Sequence, residues 1–250
     1  MQQNQRIHLL GSYLDPISMD ETLRRIENII EAKEPTQHVV INAGKINLMQ
    51  QNSALKEIVN QSPLINADGQ SIVWAARFLG YQIPERVTGI DLFEELVKRS
   101  EKTKWRLYYL GAKEEVVQKV VETHKRLYPH LNIVGYHNGY FSKAEGENIA
   151  REIEKAQADI LFVAFSSPNK EMWIKEFQPI MKVPFAMGVG GSFDVVAGIT
   201  NRAPKWMQKL GLEWFYRFIQ EPKRMFGRYI IGNFLFVKLV IQEKWRMKRG

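Results

Sequence analysis

Cysteine is absent from the 250-residue chain, which rules out disulfide bonds, thiolate zinc sites and cysteine nucleophiles. A reducing cytoplasm fits this composition. An export signal is not expected either, because the short apolar patch near the start is soon followed by Asp15 and Pro16. These two observations lead us to expect a cytoplasmic protein.

Several catalytic signatures are also missing. The sequence has no Asp-x-Asp pair, no GxSxG nucleophile elbow, no Walker lysine and no complete GxGxxG loop. Its five histidines are far apart, at positions 8, 38, 124, 130 and 137. We therefore expect neither a metal nor another cofactor, and no serine hydrolase.

Positive charge is concentrated at one end of the chain. Residues 202–250 hold twelve Lys and Arg against three Glu, a net charge of +9, which leaves −1 for residues 1–201. Aromatic side chains alternate with the arginines there, and Asn233 and Lys238 interrupt the apolar run well below the ~20 apolar residues that a spanning helix needs. This pattern predicts contact with an anionic membrane surface, and a soluble amphipathic helix is the alternative.

The rest of the chain alternates helical and strand-like segments, which predicts an α/β fold. We expect a Rossmann-like domain, in which helices flank a mainly parallel sheet, over residues 1–198. A basic, amphipathic helical appendage follows over residues 199–250. Predicted strands lie near residues 38–42, 64–66, 105–110, 132–136, 159–165 and 184–189.

Ligands of open α/β sheets bind at the carboxyl ends of the strands, so the residues that follow each predicted strand are the candidates for chemistry. Asp68 follows one of these strands and precedes Gly69, whose lack of a side chain lets a ligand approach closely. Its carboxylate could accept a proton from an attacking hydroxyl. It could equally cap the helix that starts near Gln70, and the local sequence does not decide between the two.

A glycine-rich segment follows the last predicted strand. Gly188, Gly190 and Gly191 could expose backbone N–H groups to a diphosphate, and Asp194 could bind a nucleoside. An ordinary turn with a helix cap is the alternative interpretation.

Two further loops carry charged candidates. Arg86 follows Pro84 and is suited to gripping a phosphate or carboxylate, although most loop arginines are simply solvated. In the segment 166–171, Lys170 could bind a phosphate and Glu171 a sugar hydroxyl, unless these residues only begin a helix.

Taken in order, these segments resemble the WecG/TagA/CpsF glycosyltransferase family over roughly residues 38–230. The resemblance rests on Asn42-Ala43, Asn66-Ala67-Asp68-Gly69, Trp74-Ala75-Ala76-Arg77, residues 85–92, Leu110-Gly111-Ala112, Gly139-Tyr140-Phe141, residues 188–194, Arg202-Ala203-Pro204 and Leu212-Glu213-Trp214. Each segment is weak alone, but the ordered set is specific.

The resemblance implies an inverting, metal-independent transfer from a UDP-sugar to a sugar on undecaprenyl diphosphate, in the assembly of a cell-surface polysaccharide or teichoic acid. It implies a peripheral protein on the inner face of the cell membrane, with no nucleic acid as partner and the question of a homo-oligomer open. The resemblance implies that Asp68 is the general base, that Arg86 binds the diphosphate and that Asn42 lies near the reacting centre. The implied donor-binding residues are Gly111, Lys170, Glu171, Gly188, Gly190, Gly191 and Asp194. The implied residues at the lipid diphosphate are Arg217, Arg224 and Arg228.

Three positions depart from the family pattern. Val40 stands where threonine is expected, Lys170 where glutamine is expected, and Gly227 replaces one arginine of a pair. Because the first two should reshape the sugar pocket, the donor sugar stays open. Two alternatives also stay open: a nucleotide-dependent α/β enzyme such as a methyltransferase, and a non-enzymatic module that binds membrane or nucleic acid.

Overall fold

The structure is a computed structural model that describes residues 5–249, apart from the side chains of Arg224, Arg228 and Tyr229. Within that range it contains eight strands and thirteen α-helices. The strands are β1 Ile7–Leu9, β2 Ser12–Leu14, β3 Thr36–Ile41, β4 Leu64–Ala67, β5 Arg106–Gly111, β6 Asn132–His137, β7 Ile160–Ala164 and β8 Phe185–Gly188.

The helices follow the expected alternation with the strands. They are α1 Met19–Ala32, α2 Ala43–Gln51, α3 Ser53–Gln61, α4 Gln70–Leu79, α5 Gly89–Thr103, α6 Glu114–Leu127, α7 Gly146–Ala156, α8 Asn169–Met181, α9 Ser192–Val196, α10 Lys205–Lys209, α11 Glu213–Gln220, α12 Pro222–Phe226 and α13 Gly232–Met247. A 3-10 turn at Lys143–Glu145 and a π-helical turn at Gly227–Ile231 complete the regular structure.

Strands β3 to β8 form one parallel sheet in the order β4-β3-β8-β7-β5-β6. The predicted α/β, Rossmann-like architecture is therefore confirmed. Each predicted strand lies within one or two residues of an observed one. The antiparallel hairpin β1–β2 was not predicted, because two three-residue strands are too short to show a clear alternation of side chains.

Helices cover both faces of the sheet, because successive side chains of each central strand point to opposite sides. Ile160 and Phe162 of β7 pack in a cluster with α1, α5 and α6. Leu161 and Val163 of the same strand pack with α7 and α8. The near-continuous apolar runs in the sequence are therefore explained by strands that are buried on both faces.

The basic appendage is packed against the α/β domain. Phe236 and Val240 of α13 are only 4% and 8% exposed, and they join the apolar cluster formed with α2, α3 and α4. The boundary near residue 198 remains a prediction. Among the residues that the structure describes, no helix is both long enough and apolar enough to cross a membrane.

Two histidines are buried in the α/β domain. His38 Nε2 lies 2.9 Å from Asn66 Oδ1, and Asn66 Nδ2 donates to the hydroxyl of Thr22. His124 Nδ1 lies 2.9 Å from the hydroxyl oxygen of Tyr109. Burial disfavours the charged imidazolium and lowers the pKa of each histidine from 6.5 to about 4.

These lowered pKa values predict that the free energy of unfolding falls as the pH drops from 6.5 towards 4. In that interval the unfolded chain binds protons that the folded chain does not, so the unfolded state is stabilised, by on the order of 3 kcal/mol for each histidine at the lower limit. Urea denaturation between pH 7.5 and pH 5 measures the effect. His124→Gln should flatten the dependence, whereas the exposed His130→Gln should not; an equal slope in all three proteins would contradict the explanation.

Candidate active site

A cavity of about 1700 Å³ opens at the carboxyl edge of the six-stranded sheet. Each strand of that sheet contributes to its wall, through Asn42 after β3, Asp68 after β4, Ala112 after β5, Gly139 after β6, Ser166 after β7 and Gly188 at the end of β8. A smaller cavity of about 580 Å³, beside α1 and α5, includes none of these strand-end residues. The larger cavity therefore lies where ligands of open α/β sheets bind.

Asp68 is held at the cavity wall by two hydrogen bonds. Its Oδ1 accepts from the backbone N–H of Gly89 at 2.9 Å, and its Oδ2 accepts from Asn42 Nδ2 at 3.2 Å. Asn42 is itself fixed, because its Oδ1 caps α2 by accepting from the N–H of Lys45 at 3.0 Å. A half-buried carboxylate in this position keeps further lone pairs for a ligand in the cavity.

The alternative that Asp68 caps the following helix is not what the structure contains. Gly69 is the N-cap residue of α4, and it has no side chain with which to cap. Asp68 instead binds Gly89, the first residue of α5, which lies 21 residues later in the chain. The Asp68 side chain therefore links the ends of two separate segments at the cavity.

The glycine segment and Lys170 lie side by side on one wall of the cavity. Their predicted contact with the donor stays a prediction. The Lys170 side chain runs so close to Gly188 that a Cβ there would lie 2.6 Å from its Cδ. Its Nζ would lie 3.6 Å from a Cβ on Gly190, a residue with φ of +52°. Asp194 Oδ2 would lie 3.7 Å from a Cβ on Gly191. Glycine at position 188 leaves room for the Lys170 side chain, and the positive φ at position 190 favours glycine there.

Glu171 was expected at a sugar hydroxyl, but its carboxylate is buried behind the cavity wall. The residue is only 2% exposed, and its Oε1 lies 2.7 Å from Nζ of the equally buried Lys45. The hydroxyl of Ser167 also donates to Oε1, at 3.0 Å. Burial alone would raise the pKa of Glu171, but Lys45 and Lys170 hold that pKa below its usual value. Glu171 is therefore not among the residues that line the cavity, and its predicted contact with a sugar stays a prediction.

Gly111 ends β5 for a steric reason. Its φ is +122°, and a Cβ there would come within 2.9 Å of the backbone of Ala164. The next two residues, Ala112 and Lys113, line the cavity. The predicted contact of Gly111 with the donor stays a prediction.

Arg86 lines the cavity, but it also contacts the appendage. Its Nη1 lies 2.8 Å from Glu213 Oε2, and its Nη2 donates to the carbonyl oxygen of Gln208 at 3.1 Å. Arg217 of α11 lines the cavity as well. The side chains of Arg224 and Arg228 fall outside the described part of the structure, so their predicted roles cannot be compared with it.

One end of the cavity is apolar. Trp74 and Phe78 of α4 are more than half exposed there, and they face α13 across the opening. Helix α13 is held beside them because Lys244 Nζ donates to the carbonyl oxygen of Phe78 at 2.8 Å and Asn47 Nδ2 donates to that of Gly232 at 2.7 Å. The apolar wall consists of Leu48, Trp74, Phe78, Leu235, Val237 and Ile241.

Comparison with known proteins agrees with this geometry. A family model described as the glycosyl transferase WecG/TagA/CpsF family matches residues 7–250. The chain belongs to the WecG/TagA/CpsF family of glycosyl transferases.

Two relatives of this chain carry the name N-acetylglucosaminyldiphosphoundecaprenol N-acetyl-beta-D-mannosaminyltransferase. The Bacillus subtilis protein is 36% identical over 168 residues, which are 67% of this chain and 65% of that protein. The Bacillus spizizenii protein is 32% identical over 174 residues, which are 70% of this chain and 67% of that protein. The similarity thus spans about two thirds of the length of each relative.

The three departures from the WecG/TagA/CpsF pattern all lie on the cavity wall. Val40 is 8% exposed, and its Cγ2 would lie 3.6 Å from a Cβ on Gly89, beside Asp68. Lys170 lies over the glycine segment, and Gly227 lines the side formed by the appendage. All three positions therefore lie where they can contribute to the shape of the cavity.

Sequence reasoning missed two residues of the site, Lys45 and Glu213. Lys45 lies in the first turn of α2, where nothing in the local pattern distinguishes it from a solvated lysine. Glu213 was quoted for the family resemblance, but its partner Arg86 is more than a hundred residues away in the chain. Only a three-dimensional structure could pair these groups.

The buried Lys45–Glu171 pair predicts a large loss of stability in Glu171→Gln. This variant leaves the Lys45 ammonium group buried without its carboxylate, which costs about 3–5 kcal/mol of unfolding free energy. Urea denaturation measures the loss. Glu147→Gln, which breaks an exposed pair with Arg151, is the matched control and should unfold like the wild type. Similar stability of both variants would contradict this account of the wall.

Proposed function

We propose that the chain is an inverting, metal-independent glycosyltransferase. It moves a sugar from a UDP-sugar to a sugar linked to undecaprenyl diphosphate, in the assembly of a cell-surface polysaccharide or teichoic acid. The observation that carries the proposal is the Asp68 carboxylate, which is fixed by Gly89 and Asn42 at the strand ends of a large cavity. Family membership and the names of the two relatives support the same class of reaction.

In the proposed reaction, Asp68 acts as the general base. An oxygen of the acceptor sugar forms a bond to the anomeric carbon of the donor while its proton passes to Asp68. The bond from the anomeric carbon to the diphosphate oxygen breaks at the same time, and UDP leaves. Because the attack comes from the face opposite UDP, the anomeric configuration inverts. The bond from Asn42 Nδ2 keeps the carboxylate oriented during the transfer.

Negative charge develops on the departing diphosphate, and the proposal assigns its stabilisation to two sets of groups. Arg86 keeps N–H donors beyond the two that contact Glu213 and Gln208, since a guanidinium has five. Lys170 and the backbone of Gly188, Gly190 and Gly191 form the other set. Preorganised donors of this kind supply much of the rate enhancement when charge develops in a site that excludes water.

The nucleoside and the donor sugar are assigned to the remaining walls. Asp194, next to the glycine segment, is proposed to bind the uridine, and Val40 to contact the donor sugar. No cofactor is proposed. Of the residues that the structure describes, no three His, Asp or Glu side chains are grouped as a metal site, and the diphosphate is assigned to Arg86 and Lys170.

The appendage is proposed to bind the inner, cytoplasmic face of the membrane, where the lipid-linked acceptor resides. Helices α11 and α13 carry exposed apolar side chains. Among them, Ile219, Phe234 and Trp245 are 59% to 72% exposed. The net charge of +9 over residues 202–250 would add attraction to anionic lipids. In this arrangement Arg217, Arg224 and Arg228 would bind the lipid diphosphate.

Asp68→Asn tests the catalytic base. The amide can still accept from Gly89 but cannot take the acceptor proton, so the transfer rate should fall about 10²–10⁴-fold. UDP release is measured with a panel of UDP-sugars and a lipid-linked N-acetylglucosamine diphosphate as acceptor. Asp20→Asn, at an exposed position of α1, should keep wild-type activity. A folded Asp68→Asn variant with wild-type transfer would refute the assignment.

UDP binding separates the proposal from its alternatives. A donor site for UDP predicts that saturating UDP, at about 100 times its dissociation constant, stabilises the fold by roughly 2.7 kcal/mol. Thermal unfolding with UDP, S-adenosylmethionine and duplex DNA as ligands provides the comparison. Stabilisation by S-adenosylmethionine alone would favour a methyltransferase, and salt-sensitive DNA binding without any UDP effect would favour a nucleic-acid-binding module.

Phe234→Glu tests membrane contact in the full chain. Burying a phenylalanine side chain contributes about 1.5–3 kcal/mol, so its replacement should weaken binding to anionic vesicles at least roughly tenfold. Flotation with vesicles of phosphatidylglycerol and phosphatidylcholine measures this binding. Leu127→Glu changes an equally apolar, 57% exposed position on α6 and should leave vesicle binding unchanged. Equal flotation of both variants would contradict docking through α13.

A further inference from the structure

The residues Arg202 and Glu213 belong to two family segments that the proposed reaction leaves without a role. Glu213, the first residue of α11, lies between two guanidinium groups. Its Oε2 is 2.8 Å from Arg86 Nη1, and its Oε1 is 3.3 Å from Arg202 Nε. All three side chains are 17% to 24% exposed. The carboxylate therefore joins the appendage to the arginine assigned to the leaving diphosphate.

The contacts continue from Arg202 to the start of α5. Arg202 Nη1 lies 2.7 Å from Asp91 Oδ1, and the Thr88 hydroxyl donates to the other oxygen of Asp91. Thr88 also caps the helix, because its hydroxyl oxygen accepts from the Asp91 N–H at 3.1 Å. The neighbouring residue, Gly89, donates its N–H to Asp68.

The charged forms of Asp91 and Arg202 are favoured by their partners in this network. Burial raises the pKa of Asp91, but Arg202 and Thr88 outweigh it and hold that pKa below its usual value. Burial likewise disfavours the charged form of Arg202, but Asp91 and Glu213 raise its pKa above the ordinary value. Partly buried ion pairs with several partners are more ordered than isolated surface pairs. The network can therefore fix both the Arg86 side chain and the start of α5, which it connects.

We infer that Glu213 is a positioning residue for the sugar transfer. It holds the Arg86 guanidinium at the cavity. Through Arg202 and Asp91 it also holds the N-terminus of α5, which binds Asp68. This inference rests on the proposed function. An unrestrained arginine samples many rotamers. Fixing its guanidinium group before the donor binds therefore lowers the conformational entropy that is lost when the arginine contacts a diphosphate. Docking of the appendage would thus add Glu213 to a site whose proposed base, Asp68, and leaving-group arginine, Arg86, come from the α/β domain.

The test compares the binding of UDP and UMP to the full-length protein by titration calorimetry. The two ligands differ in the β-phosphate, which Arg86 is proposed to contact. Losing one positioned charge-assisted contact should weaken UDP binding about tenfold in Glu213→Gln, while UMP binding changes less than about twofold. Arg86→Gln should cause a similar loss, and the double variant should bind UDP no more weakly than Arg86→Gln alone.

Two further variants serve as controls. Glu243→Gln removes an appendage carboxylate of similar exposure, 17% against 21%, that pairs with Arg246. It should keep the wild-type ratio of UDP to UMP affinity. Glu213→Asp keeps the charge but shortens the side chain by one methylene group. Its ratio of UDP to UMP affinity should therefore lie between those of the wild type and Glu213→Gln. This variant also preserves the test if Glu213→Gln does not fold, as judged by near-ultraviolet circular dichroism.

The outcomes separate this inference from the proposed function. An unchanged UDP to UMP ratio in Glu213→Gln and Glu213→Asp overturns the positioning role and leaves the proposed function intact. Tighter UDP binding in Glu213→Gln also overturns it, because the carboxylate would then compete with the diphosphate for Arg86. Additive losses in the double variant would mean that Glu213 does not act through Arg86. A wild-type protein that binds no UDP would overturn the donor class itself, and this inference with it.

Discussion

The hydrogen bond from the Gly89 N–H to Asp68 Oδ1 fixes the candidate base at the cavity and links it to the start of α5. Asp68 follows β4, and Gly89 begins α5, so the bond joins two segments across a 21-residue separation. The loop before α5 is held at this strand end, because the backbone N–H of Val87 donates to the carbonyl oxygen of Ala67, the last residue of β4, at 3.0 Å. Asn42 adds the second donor from the end of β3. The proposed base is therefore oriented by backbone and amide groups whose positions depend on the sheet.

The appendage contributes to the site through charge as well as through apolar packing. Phe236 and Val240 anchor α13 in the core, while Glu213 forms ion pairs with both Arg86 and Arg202. Arginine at the cavity is useful for binding a diphosphate only if its own charge is balanced when the donor is absent, since isolated partly buried charges are costly. Glu213 provides that balance. The basic surface beyond it remains available to an anionic membrane in the proposed function.

The fold was largely predictable, and the site was predictable in part. Alternating helical and strand-like segments indicated the parallel sheet. The glycine segment and Lys170, both assigned to the donor, lie side by side in the structure, and their contact with a donor stays a prediction. Glu171 was expected at a sugar but is buried with Lys45, because an i+1 neighbour of Lys170 on a helix points in another direction. Local sequence does not reveal which helix face meets the sheet.

By itself, the sequence determined the class of fold, the family and the edge of the sheet at which the large cavity opens, because these follow from hydrophobic periodicity and an ordered set of short segments. Tertiary structure alone decided whether Asp68 caps a helix or faces a cavity, since its choice of partner depends on Gly89. It also decided that Glu213 meets Arg86. Both contacts join residues far apart in the chain, and a hydrogen bond or ion pair forms only when folding brings its two groups within about 3 Å.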